Sequence, residues 1–135
     1  LQEQGVMLAV AETATHGDIV QRLSSHPEVI CGGMVAPSAR HLAQLMEMEL
    51  PTEGGEGEAR ILAEGVRNRW GAGLGLAVVS DETGGPWVAI ADGSIADTRQ
   101  LRFRGSGFRA RVWSTTLALE FLRRTLLGQA DGWAE

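Results

Sequence analysis

The run Leu8-Ala9-Val10-Ala11-Glu12-Thr13-Ala14-Thr15-His16-Gly17 decides how this chain is read. An apolar stretch breaks at a glutamate into a small, hydroxyl-bearing turn, and helical spacing begins at Asp18. A brief apolar run ending at a turn has the pattern of a buried strand, which is expected over Met7–Val10. Thr15 is a good N-cap residue, and Asp18 three positions on suits a capping-box-like contact. Such a strand–turn–helix junction sets a side-chain oxygen over a helix N-terminus, where unpaired N–H groups and the helix dipole favour negative charge. The geometry serves a nucleophile, an anion site or a helix cap, and the residues alone leave all three open.

Outward from the junction, Ile19, Val20 and Leu23 repeat at helical spacing until Ser24-Ser25-His26-Pro27 stops the helix. Val29–Val35 reads as a second strand, and its Gly32-Gly33 pair predicts a bulge or a close backbone approach. Pro37-Ser38 opens a helix with Leu42, Leu45 and Met46 on one face. A Gly/Glu-rich loop over Pro51–Gly57 leads to a helix over Glu58–Trp70. Strands are expected at Leu74–Val79, Trp87–Ala91 and near Arg99–Phe103, with Asp92-Gly93 as a turn, before a last helix over Phe108–Leu127. The segment Gly71-Ala72-Gly73-Leu74-Gly75-Leu76 follows a helix and leads into a strand. That is the wrong order for a dinucleotide loop, and it reads as a helix stop. Helices alternating with strands, then a hairpin and a final helix, give an α/β class: a three-layer α/β/α sandwich on a mixed sheet. One domain over residues 1–127 with a loose tail over 128–135 is expected.

At 135 residues, 44% hydrophobic and 21% charged, the composition is that of an ordinary globular domain. No apolar run approaches the roughly 20 residues that span a membrane. The single cysteine, Cys31, rules out an internal disulfide and fits a reducing cytoplasm, with an inert thiol in a strand. A net charge of −5 disfavours general nucleic-acid binding. No Cys/His/Asp grouping has metal-ligand spacing, and neither a metal nor a cofactor is expected. All 12 basic residues are arginine, a poor proton acceptor, and there is no tyrosine. Candidate general bases therefore reduce to His16, His26, His41 and the carboxylates. Arg102 and Arg104 alternate with Leu101 and Phe103, while Arg109 and Arg111 open the last helix, where the dipole disfavours cations. They form either a solvated face paired with the acidic middle of the chain or a seat for an anion.

Four of these motifs stand in a familiar order. Ala11-Glu12-Thr13-Ala14-Thr15-His16-Gly17, Gly32-Gly33-Met34-Val35-Ala36-Pro37-Ser38 and Leu62-Ala63-Glu64-Gly65-Val66-Arg67 precede Phe103, Gly105, Arg111 and Ala118-Leu119. Over about Val6 to Leu127 the chain resembles the C-terminal domain of the competence/damage-inducible protein CinA, the nicotinamide mononucleotide deamidase family. The resemblance implies a CinA C-terminal-like fold, self-association into a homo-oligomer, and a nucleophile at the position of Thr13. It also marks departures. The family serine is Thr13 here, and its assisting Tyr and Lys fall on Pro37 and, by ungapped count, Leu42. The family's ligand-lining loop is reduced to Ser80-Asp81-Glu82-Thr83-Gly84-Gly85-Pro86.

The expected reading is therefore a domain that keeps the fold and has lost the deamidase chemistry. It would retain a binding role toward a nucleotide-like small molecule or a protein. The positions implied for that ligand are Thr15, Gly17, Gly32, Gly33, Ser38 and Arg111. The rival is an active amidohydrolase with Thr13 as nucleophile and His16 or Glu12 as its base. A third reading makes the arginines a docking face for an anionic partner. Trp70 and Trp113 are expected at an interface.

Overall fold

A computed structural model describes residues 6–50, 55–80, 85–94, 96–101 and 107–130. Its elements in chain order are β1 (Leu8–Glu12), α1 (Asp18–Leu23), β2 (Ile30–Val35), α2 (Ala39–Leu45), α3 (Glu56–Trp70), β3 (Leu74–Val79), β4 (Trp87–Ala91), β5 (Ala96–Gln100) and α4 (Gly107–Ala130). The strands form one sheet in the order β2-β1-β3-β4-β5. β1 pairs parallel with β2 and β3, and the β3–β4 and β4–β5 pairs are antiparallel.

Strand alternation puts mostly small side chains on one face of the sheet, Val79 being an exception on β3, and larger ones on the other. Ala9, Ala11, Ala77, Ala89 and Ala91 face α2 and α3, where they meet Leu42, Leu62, Ala63 and Val66. Leu8, Val10, Leu74, Leu76, Val78, Val88 and Ile90 face the other way, against Ile19 of α1 and Ala118, Phe121 and Leu122 of α4. This is the expected three-layer α/β/α sandwich on a mixed sheet. The small face lets α3 lie against the backbone. A Cβ built on Gly75 would stand 2.0 Å from the Ala63 carbonyl oxygen, so no larger residue fits while α3 keeps its place. The helix stop read at Gly71 is present, in the left-handed region at φ 62°. Gly75 has this second, packing role that the sequence reading did not assign.

The Gly32-Gly33 expectation is met twice over. Leu8 pairs with Ile30 and Ala9 with Gly32, so Cys31 is the extra residue of a bulge. A Cβ on Gly32 would collide with the Trp70 indole at 2.0 Å, and one on Gly33 would lie 2.7 Å from Val20. Trp70 is thus committed to packing over β2, whereas Trp113 on α4 is half exposed at 50%.

Several bounds differ from expectation. β1 extends to Glu12, which lies inside the strand rather than past it. α3 begins two residues earlier, at Glu56, where its acidic first turn suits the helix dipole. β5 covers Ala96–Gln100 and so starts before the expected Arg99, because the hairpin register sets Ala91 against Ala96 and Trp87 against Gln100. The expected continuation to Phe103 lies outside the described residues. α4 continues through Ala130, past the expected stop at Leu127. Arg102, Arg104 and residues 131–135 lie outside the described residues. No helix among those described is long and apolar enough to cross a membrane.

Candidate functional site

Period-two alternation along β1 carries Glu12 to the same face as Leu8 and Val10, the face that α1 covers. Its carboxylate is fully buried there. Oε1 accepts from the Ile19 N–H at 3.2 Å and from the Thr15 hydroxyl, and Oε2 accepts from the Val20 N–H at 2.8 Å. Ile19 and Val20 are the second and third residues of α1, whose amides have no partner inside the helix. A strand side chain therefore caps the following helix, and the cap reading prevails at Glu12 over an anion site for an outside ligand.

Thr15 is not the N-cap. That position is Gly17, at φ 89°, with no side-chain cap of its own, and the Thr15 hydroxyl donates to Glu12 instead. The reason is the turn. His16 at φ 55° and Gly17 at φ 89° have consecutive positive φ, and the Asp18 N–H donates to the Thr15 carbonyl at 3.0 Å. This tight reversal leaves Thr15 buried before the turn and His16 exposed at its tip.

Thr13 sits at the carboxyl end of β1, only 3% exposed. Its hydroxyl accepts from the Ser80 N–H at 2.9 Å and pairs with the Ser80 hydroxyl at 3.2 Å, and its own N–H donates to the Val78 carbonyl at 2.8 Å. Among the described residues, those partners include no carboxylate and no imidazole. Of the two bases weighed for Thr13, Glu12 is engaged at α1 and His16 reaches into solvent. Leu42, on the family lysine position, is fully buried in the core beneath α2, and Pro37 is exposed.

The connection after β1 runs over one face of the sheet and the connection after β2 over the other, so the crevice outside their carboxyl ends is a topological switch point. Ser38 lies there as the N-cap of α2. It accepts from the His41 N–H at 3.2 Å and pairs with His41 Nδ1 at 2.7 Å. Nearby, Thr15, His16, Asp18, Gln21, Arg111 and Val112 line a cleft of about 120 Å³. The fold thus brings Thr15, His16 and Arg111 together across the α1–α4 seam. Gly32 and Gly33 are not exposed to this cleft's contents: their open sides are filled by Trp70 and Val20. Gly17 packs toward Val35, 3.5 Å from a built Cβ.

Two features went unread in the sequence. Arg67 closes the end of α3. It donates to the Ala72 carbonyl at 3.3 Å, to Asn68 Oδ1 at 3.1 Å and to Glu64 Oε2 at 2.7 Å. The Glu64 hydrogen bond raises its pKa, with the Glu64 and Asp92 charges acting in the same direction. The motif Leu62-Ala63-Glu64-Gly65-Val66-Arg67 is thereby a packing and capping motif. The other feature is a larger groove of about 740 Å³ beside β5, with Arg99 stacked over the Phe121 ring at 5.2 Å. Glu120, on its rim, is held below the usual carboxylate range by a hydrogen bond from Arg123.

No family model matches the chain. It is 33% identical to a CinA-like protein of Gemmatimonas aurantiaca, over 93% of this chain and 35% of that protein. It is 34% identical to a CinA-like protein of Gloeobacter violaceus, over 94% of this chain and 34% of that protein. The chain therefore spans about a third of the length of these curated relatives. Its fold matches a competence-damaged protein (CinA) superfamily protein from Klebsiella pneumoniae with a TM-score of 0.82 at 19% identity, covering 94% of this chain and 91% of that one. The competence/damage inducible protein CihA from Agrobacterium tumefaciens matches with a TM-score of 0.76 at 21% identity, covering 91% and 87%. The junction at Glu12, the mixed sheet between two helical layers and these likenesses along almost the whole chain agree: the chain belongs to the CinA family, as a CinA C-terminal-like domain.

Proposed function

We propose that this domain uses the CinA-like fold for binding and does not hydrolyse amides. The observation that carries the reading is the bonding of the junction. The Thr13 hydroxyl is buried against Ser80, and the Glu12 carboxylate is taken up by the α1 amides and Thr15. A hydroxyl becomes a useful nucleophile only when a base can take its proton. Leucine at position 42 and proline at position 37 offer no such group. The ligand is a nucleotide-like small molecule whose anionic group meets Arg111 in the cleft beside His16, where a guanidinium suits a phosphate. The domain works as a homo-oligomer.

Ammonia release from nicotinamide mononucleotide, measured at high protein concentration beside a Thr13→Ala variant, tests this directly. Neither protein is expected to release ammonia. Release by the wild type that disappears in Thr13→Ala would overturn the reading and make Thr13 the nucleophile. Calorimetric titration of nicotinamide mononucleotide then tests the binding half: heat is expected for the wild type and none for Arg111→Ala.

A further inference from the structure

A nucleophilic hydroxyl needs a base within hydrogen-bond reach, and that condition, unmet at Thr13, is met at Ser38. The Ser38 hydroxyl oxygen lies 2.7 Å from His41 Nδ1. It also accepts from the His41 N–H at 3.2 Å, as the N-cap of α2. That bond occupies a lone pair and leaves the hydroxyl proton to point at the ring nitrogen. Nδ1 is then the acceptor, and Nε2 carries the ring hydrogen. Other hydroxyls are placed differently. Ser24 is exposed, but it donates to the Gln21 carbonyl at 2.7 Å, and a carbonyl oxygen does not take up a proton. Thr15 donates to Glu12, and both are fully buried. Thr98 donates to Glu56, a carboxylate already held by Arg60 at 3.3 Å.

The place in the fold favours Ser38 as well. It follows β2 by three residues and opens α2, in the crevice at the topological switch point, where open α/β sheets receive ligands. His41 is exposed, so an ester carbonyl can approach the pair from solvent and the ring can pass a proton to water.

We propose that Ser38 and His41 form a nucleophile–base pair that takes acyl groups from activated esters and passes them to water. In the first step the Ser38 oxygen bonds to the carbonyl carbon, its proton passes to His41 Nδ1, and the bond to the leaving oxygen breaks. His41 returns that proton to solvent. In the second step water bonds to the acyl carbon while His41 takes a proton from it. The bond to the Ser38 oxygen then breaks, that oxygen recovers the proton from His41, and the carboxylic acid is released. No donor to the carbonyl oxygen enters either step, and neither draws on the α2 amides. The ester must therefore bring its own activation, a leaving group that departs as an anion without a proton. Aryl esters meet this requirement. Amides do not, because an amine leaves only once protonated, so the pair is compatible with a domain that does not hydrolyse amides. The chemistry needs neither Thr13 nor Arg111.

Turnover of p-nitrophenyl acetate by the 135-residue chain tests the pair, with peptide mass spectrometry locating the acetyl group. The wild type is expected to carry acetyl on Ser38 and none on Ser24, and to release p-nitrophenolate above the buffer rate. Ser38→Asp keeps an N-cap acceptor for the His41 N–H and has no hydroxyl, so it is expected to lose the label and most of the release. His41→Ala removes the ring and keeps the backbone N–H that Ser38 caps, and acetylation of Ser38 is expected to slow about a hundredfold. Both variants retain the cap, so their far-ultraviolet circular dichroism should match the wild type. An unlabelled Ser38 in the wild type, equal labelling of Ser24 and Ser38, or undiminished acetylation in His41→Ala would each overturn the proposal.

Discussion

Glu12 is a buried carboxylate satisfied by two amides and an alcohol, and all three donors depend on it. Truncation at this position leaves buried donors without a partner, at a cost of roughly 1–3 kcal/mol each for those that water cannot reach. Glu12→Ala is therefore expected to lower unfolding stability by about 3 kcal/mol. Glu12→Gln, which keeps one acceptor oxygen, should fall between it and the wild type. Urea midpoints at constant m-value check this, and an unchanged midpoint in Glu12→Ala would mean that Glu12 does not hold the junction. The cap was among the readings open in the sequence, but its owner was not. Thr15 has the better N-cap propensity, and only the consecutive positive φ values of His16 and Gly17 remove it from that role. Strand alternation from Leu8 to Glu12, set against a helix start at Asp18, was the signal that pointed to the glutamate.

Among the elements, α3 packs onto β3 with no room for a side chain at Gly75, and two glycines, Gly75 in β3 and Gly71 at the end of α3, separate steric from conformational effects. Gly75→Ala drives a Cβ into the Ala63 carbonyl, a backbone atom that moves only with the helix. Gly71→Ala meets nothing within 4 Å and bears only the strain of φ 62°. The expected order follows: about 3 kcal/mol or more for Gly75→Ala from overpacking, against roughly 1–2 kcal/mol for Gly71→Ala from left-handed strain. Thermal or urea unfolding of the two variants gives the ranking, and the reverse order would contradict the close contact. Most elements were legible from periodicity because their apolar positions are continuous, as in Leu74–Val79. The start of β5 was missed because its run Ala96-Asp97-Thr98-Arg99-Gln100 carries no apolar alternation. The register that sets its true bounds comes from pairing with β4, a non-local fact. The Arg67 cap escaped notice for the same reason, since its acceptor at Ala72 lies beyond the helix end.

For the whole molecule, one sheet supplies strands to both cores, so neither helical layer can lose its packing without exposing the strands it shares with the other. Unfolding is expected as one transition, with far-ultraviolet circular dichroism and tryptophan fluorescence giving coincident curves. Separated curves would mean that the α1–α4 layer or the α2–α3 layer melts alone. The three-layer architecture was readable from element order, and the motif order pointed to the family. The candidate cleft was readable only in part, because Thr15, His16 and Arg111 are brought together by the docking of α4 against α1. The size sorting of the sheet has a consequence for how such a domain can diversify. On the alanine side, the approach of Ala63 to Gly75 leaves no room for a side chain beneath α3, so that surface has little freedom to drift there. On the opposite side, Leu, Val and Ile can be exchanged for one another with compensating repacking. Variation will therefore collect beneath α1 and α4, the layer that also borders the cleft, and new ligand preferences can arise there without disturbing the α3 contact that keeps the domain folded.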